Sequence, residues 1–235
     1  MAITIFQSVN EQDKQAAVEK LITASTPRQD FFLMIVLAVA MATLGLLMDS
    51  AAVVIGSMLI APILYPILGL AMGVVMSDAR LIRRSFATVL KSGILAIGAG
   101  AIITLLAAPV GYSITADTAA LMEPSLMFAA VAVIAGLAAS FALAKRQLSE
   151  SLPGVAISVA LIPPLASIGI GLARFDGALM VRAFLLFLLN AVGIVFAGMV
   201  VYSLLNLSLK RQIADRVIED EDRAVQREQD GNTAE

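Results

Sequence analysis

Apolar residues fill the chain in six long runs, at about 31–48, 51–76, 87–108, 124–144, 153–173 and 178–206, and polar positions collect in the gaps. A helix rising 1.5 Å per residue needs roughly 20 apolar residues to cross a hydrocarbon layer about 30 Å thick, and each run is near that length. The pattern predicts an all-α, polytopic membrane protein of about six transmembrane helices. The first gap is only Asp49 and Ser50, so runs one and two form a tight hairpin, and either side chain suits the N-cap of the second helix. An arm at 1–30 precedes the membrane domain at 31–206, and a tail at 207–235 follows it. Within the arm, residues 10–25 read as one amphipathic helix, with Ala16, Ala17, Leu21 and Ala24, or Val18, Leu21 and Ile22, toward a partner. Residues 207–228 read as a charged helix with a thin stripe at Ile213 and Val217, expected to be a solvated tail.

Two apolar runs carry prolines near their middles: IAPILYP at 60–66 and LIPPLAS at 161–167. A shift of 101 residues lays the runs over one another, with Ser50 on Ser151, Ser57 on Ser158 and Pro62 on Pro163. Each half of the domain (31–108 and 124–206) is then span, proline-broken span, span, and three crossings oblige the second half to enter from the opposite side. That predicts two inverted three-helix repeats. Proline lacks the donor for the carbonyl four residues back. Pro62, Pro66, Pro163 and Pro164 are therefore expected to release the carbonyls of Met58, Pro62, Val159 and Ala160, with Ser57 and Ser158 near enough to satisfy them. Two readings follow. The breaks are ordinary kinks repaired by neighbouring helices, or they meet at a functional midplane cavity.

Composition narrows the chemistry. Hydrophobic residues make up 60% of the 235 and charged ones 14%, so a bilayer is the natural solvent. With no cysteine and no histidine, disulfides, thiolate chemistry, the usual zinc sites and the commonest general base are absent, and no cofactor is expected. The charged and amide-rich first twenty residues do not resemble a signal peptide, so the first span is expected to stay as an anchor. Lysines and arginines number 14 in the arm, the tail and the alternate gaps between, against 2 in the remaining gaps. The positive-inside rule then places both termini in the cytoplasm. Bases and acids nearly balance, which argues against nucleic-acid binding.

Among polar residues near the spans, Asp49 is either a helix cap or a cation or proton site at an entrance, and Asn190 is interhelical glue or pore lining. Tyr65 is a gate or core residue between two prolines. Small residues at four-residue spacing, as in GLAMG (69–73) and GLAAS (136–140), permit close helix packing within a bundle or a homo-oligomer. The blocks at 50–73, 154–173 and 185–198, with the basic SDARLIRRS at 77–85 and the apolar segment at 123–143, resemble the core of the bacterial and archaeal membrane proteins grouped as domain of unknown function 389. The resemblance implies a multi-spanning protein of the cytoplasmic membrane and names no substrate. Some members carry a folded soluble domain ahead of this core; the thirty residues here do not imply one.

A transporter or channel for a small ion or polar solute is the function these features favour, with a membrane scaffold or regulatory subunit as the alternative. Enzyme chemistry is disfavoured, because neither a histidine-dependent motif nor a pair of mid-span acids exists. Released carbonyls and hydroxyls suit a cation, a proton or a neutral polar solute better than a free anion, although helix N-termini favour negative charge.

Overall fold

The computed structural model describes residues 9–107, 115, 122–145 and 161–233, and among them no strand forms. Helices α2 (Gln29–Leu47), α5 (Ala79–Ala107), α6 (Leu126–Ala144) and α8 (Gly177–Leu204) are each long and apolar enough to cross a membrane. Helices α3 (Ala51–Ile60) and α4 (Leu64–Met76) make a fifth candidate span bent by 52° at its break. Helix α7 (Ile162–Arg174) covers about 20 Å, too short to cross alone. The first half of its run, with Ser151, Ser158, Val159 and Ala160, lies outside the described residues. At the ends are α1 (Glu11–Ala24) and, after a 3-10 turn at Leu207–Lys210, α9 (Arg211–Thr233).

The two proline sites resolve differently. The residue before a proline is pushed out of the helical region, and Ala61 is extended (φ −79°, ψ 122°), which ends α3 before Pro62. The Tyr65 N–H then donates to the Pro62 carbonyl at 3.2 Å, so this carbonyl, expected to be released by Pro66, has a partner. Pro163 and Pro164 do not break a described helix; they lie in the first turn of α7, where missing N–H groups cost no helical bond.

Three helix joints share one geometry. At the ends of α2, α4 and α7, the residues Asp49, Ser77 and Phe175 are left-handed (φ 53°, 52° and 56°). The next N–H closes back five residues in each case, from Ser50 to Gly45 (2.8 Å), Asp78 to Gly73 (2.9 Å) and Asp176 to Gly171 (2.9 Å). At the latter two the aspartate also caps the following helix: Asp78 Oδ1 accepts from the N–H groups of Arg80 and Leu81, and Asp176 Oδ1 from that of Leu179. Asp49 closes α2, and Ser50 takes the N-cap position of α3 expected of one of these two residues, though its side chain makes no capping hydrogen bond. The Asp78 cap also starts α5 eight residues before the apolar run it carries, taking Arg80, Arg83 and Arg84 into the helix.

Close crossings hold the bundle together. Helix α4 packs on α5 and α8, and α7 packs on α8, α5 and α2. A Cβ on Gly169 of α7 would stand 2.7 Å from the Ile97 carbonyl oxygen and 2.9 Å from the Ala101 nitrogen of α5, so the two backbones touch. A Cβ on Gly198 of α8 would come within 2.7 Å of Ala71 in α4, and one on Gly136 of α6 within 2.8 Å of Ala197 in α8. Such spacing is how small residues join helices where lipid gives no hydrophobic drive to associate.

Helix α1 lies against α4, α6 and α9, so both ends of the described chain share one face of the bundle. Ala17, Val18, Leu21 and Ile22 are all buried, merging the two faces anticipated for this helix. The tail is not a free solvated helix. Ala214 and Ile218 are buried, and Glu219, Glu221 and Asp222 pair with Arg80, Arg28 and Arg84 at 3.7, 3.1 and 2.5 Å. Glu11 pairs with both Lys14 and Lys210. The hydrogen bond from Lys14, then that from Lys210, holds its carboxyl down from 4.5 to about 2. This contact is at full strength above about pH 4.5 and lapses as pH falls through about 2.

Substituting Gly169→Ala forces a methyl onto a backbone carbonyl and is expected to cost about 1–3 kcal/mol, read as a lowered Tm in detergent or lipid. Gly98, whose added Cβ would meet nothing within 4 Å, supplies the control: Gly98→Ala leaves Tm unchanged or raised.

Candidate functional site

The end of the bundle opposite α1 and α9 carries the Asp49, Phe175 and 122–125 joints, with Arg182 of α8 paired to Glu123 at 3.1 Å. A cavity of about 250 Å³ opens there between α2, α3, α6, α7 and α8. Gly45 makes the hairpin close enough to form one wall, since a Cβ on it would lie 2.9 Å from Val54 Cγ2. Asp49 and Ser50 sit at the mouth. Leu46, Val54, Ile55, Met58, Phe128 and Leu186 form the sides, and Pro163 and Pro164 contribute from the head of α7. Met58 is the eighth residue of α3, roughly 11 Å below its start, so the cavity reaches well into the bundle.

Four of the residues singled out from sequence therefore meet here: Asp49, Met58, Pro163 and Pro164. Others do not. The buried Ser57 hydroxyl donates to the Val54 carbonyl at 2.6 Å, bonding its own helix instead of the Met58 carbonyl that Pro62 cannot serve. Tyr65 and Pro66 open α4, away from the cavity lining, half-buried and buried respectively. Asn190 is buried within α8 and does not line the cavity. Ser158, Val159 and Ala160 lie outside the described residues. Phe128, Leu186 and Met122 line the cavity unforeseen, because one apolar residue among many in a span carries no mark of facing a void.

The chemistry of the lining is specific in two respects. Among the described residues its lining is apolar apart from the mouth, where the Asp49 carboxylate accepts from the Thr115 hydroxyl at 3.4 Å, and none of those residues is basic. The four main-chain nitrogens that head a helix are its anion-binding groups, and in α7 two of the four belong to proline and carry no hydrogen. The α7 terminus thus retains its dipole and loses half its donors. Among the described residues, no group of three or more acidic or other metal-ligating side chains is placed to hold a metal ion.

Elsewhere in the interior, hydroxyls meet backbone at two crossings. A Cβ on Gly100 would lie 3.3 Å from both the Thr43 Oγ1 and the Ala166 carbonyl, and one on Gly198 would lie 3.3 Å from Ser140 Oγ and 3.5 Å from Leu68. Thr43, Ser140 and Ser167 are fully buried, and the hydroxyls of Thr43 and Ser167 have no hydrogen-bond partner among the described residues.

Comparison with known proteins adds a family and no activity. An uncharacterized protein of Methanocaldococcus jannaschii is 26% identical over 218 residues, an alignment covering 86% of this chain and 65% of the relative's length. No solved structure matches. The profile described as Domain of unknown function (DUF389) matches residues 58–196, from the cavity wall at Met58 to the middle of α8. That span is more than half of the chain, and the protein belongs to the DUF389 family.

Proposed function

We propose that this protein is a multi-pass transporter of the cytoplasmic membrane, without catalytic chemistry of its own, built from two inverted three-helix repeats. In this reading the structure is open toward the outer side through the Asp49 cavity. The observation that carries it is the agreement between halves at a displacement of 97–98 residues. Helices α2 and α6 each have 19 residues, and α4 and α7 each have 13. The joints Gly73, Ser77 and Asp78 correspond to Gly171, Phe175 and Asp176, with equal hydrogen bonds of 2.9 Å. The glycine crossings correspond as well: Gly100 with Thr43, Ala166 and Gly169 answers Gly198 with Ser140, Leu68 and Ala71. Each half-helix thus packs against the third helix of the other repeat. The displacement differs from the 101 read off the serine and proline pattern, whose second members lie partly outside the described residues.

Paired half-helices that begin near the middle of a bundle are the arrangement in which transporters place a binding site. Basic side chains at the α1 and α9 end, including Arg28, Arg80, Arg84 and Lys210, support a cytoplasmic assignment for that end. The lining favours a small amphipathic solute whose cationic or neutral polar group meets Asp49 and whose apolar part lies against Met58 and Phe128. An apolar wall replaces the hydration of a bare ion poorly, and the shortage of donors at α7 disfavours an anion.

Two experiments test this. The chain has no cysteine, so Met58→Cys is a unique label site; a membrane-impermeant maleimide added outside intact cells is expected to modify it, while Ser208→Cys at the other end reacts only after permeabilisation. In proteoliposomes on a solid-supported membrane, short alkylammonium pulses are expected to give transient currents that chloride or phosphate do not. Asp49→Asn should raise the half-saturating concentration about tenfold, the scale of one partly hydrated ion pair. Absence of outside labelling together with absence of current for every amine sinks the reading.

A further inference from the structure

The two ends of the bundle differ in what covers them. On the repeat correspondence, the lining residues Phe128, Pro163, Pro164 and Leu186 of the outer cavity answer to Phe31, Tyr65, Pro66 and Thr88 at the other end. Phe31, Pro66 and Thr88 are buried there and Tyr65 is half-buried, a burial like that of Pro163, Pro164 and Leu186 at the outer end, so the difference lies in what packs over them. The elements around them are covered by α1, which inserts Ala17, Val18, Leu21 and Ile22 against α4 and α6 and has no counterpart among the described residues of the second half. Helix α9 in turn lies on α1.

The charges explain why α1 stays there. Acidic groups of α9 reach beyond α1 to Arg28 in the link to α2 and to Arg80 and Arg84 in α5. Arg84 is the hub, its side chain only 11% exposed. It donates to Asp222, to the Ile218 carbonyl and to the Thr26 hydroxyl, so one guanidinium joins α5, α9 and the end of α1. Lys210 holds the start of α1 through Glu11.

We infer that α1 is an inner gate and that α9 is the latch holding it shut through the Arg28, Arg80 and Arg84 ion pairs. The inference rests on the transport reading of the outer cavity. Opening the inner end requires α1 to leave α4, and α1 cannot leave without separating these pairs. The Arg80 pair is exposed on both sides, with Glu219 56% exposed, and each of the other two pairs has one partner open to water, Arg28 and Asp222, so salt and competing charge weaken the latch. An anionic surface or partner that attracts the arginines acts in the same direction.

The test uses the full chain in lipid with Tyr65→Cys as reporter and an impermeant maleimide presented at the α1 and α9 side. Raising salt from 50 mM to 1 M is expected to increase the labelling rate about tenfold, as is the triple variant Glu219→Lys, Glu221→Lys, Asp222→Lys, the scale of a few surface pairs. Adding Arg28→Glu, Arg80→Glu and Arg84→Glu to that variant re-creates the pairs with reversed sign and should return the rate to its starting value. A rate indifferent to salt and to the triple variant overturns the latch, and so does a rise that the reversed pairs fail to restore in protein whose Tm matches that of the parent chain. Because the salt arm leaves the charged residues unchanged, a folding defect in the variants does not decide the outcome. Met58→Cys labelling from outside, measured in parallel, separates the failures: lost outer access with an intact salt response at Tyr65→Cys argues against the transporter and leaves the clasp standing as structure alone.

Discussion

Backbone that stops short inside an apolar bundle must be enclosed by other backbone, and the rest of this architecture follows from that constraint. An unpaired main-chain group in hydrocarbon costs several kcal/mol. Ending α3 at Ile60 and starting α7 at Ile162 places helix termini away from the bundle ends, where only protein can shelter them. The shelter is close apposition. Gly169 allows α7 to rest directly on the main chain of α5, and Gly198 allows α8 to receive α4, while prolines at the head of α7 remove donors that would otherwise need partners. Broken spans, glycine crossings and prolines are in this sense one solution with three components.

The same arrangement explains the contrast between the two ends. On the repeat reading proposed above, two inverted halves alone would leave equal openings on both sides. The described parts of the arm and tail both fall on the face where α1 packs with α9. They add apolar side chains and acids to one end only. At the other end the hairpin around Asp49 leaves a cavity whose lining is almost wholly hydrocarbon. Among the described residues, the flanks thus cover one end of the bundle and not the other.

Much of the fold was legible because apolar run length responds to one strong constraint, the thickness of a bilayer. The hairpin at Asp49 and Ser50 and the break before Pro62 follow from gap length and from the conformational limits on the residue preceding proline. The displacement of 101 read from the serines and prolines differs by three or four residues from the 97–98 on which the proposed repeat rests, since aliphatic matches in apolar sequence discriminate poorly. The markers that fix it, Gly73 with Asp78 and Gly171 with Asp176, stand at the ends of the runs instead of inside them. The role expected of Ser57 failed for a local reason: a serine in a helix has its own carbonyl three residues back within reach, and Val54 takes the bond. Docking of the tail was hidden because its partners lie over a hundred residues away in sequence, as Arg84 and Asp222 do.

Helix α3 has a consequence of another kind. Of its ten residues only Ser57 is buried, while Ile55 and Leu59 are about half exposed, and among the described residues its main neighbour is the adjoining α2, with a smaller contact to α7. Side chains that protein leaves uncovered in a bilayer are solvated by acyl chains. The position of this cavity wall is thus set jointly by its helical neighbours and by the lipid pressing on its back. Membrane thickness and acyl order then become mechanical variables of the cavity itself: a bilayer that repositions α3 changes the width of the cleft without touching a residue that lines it.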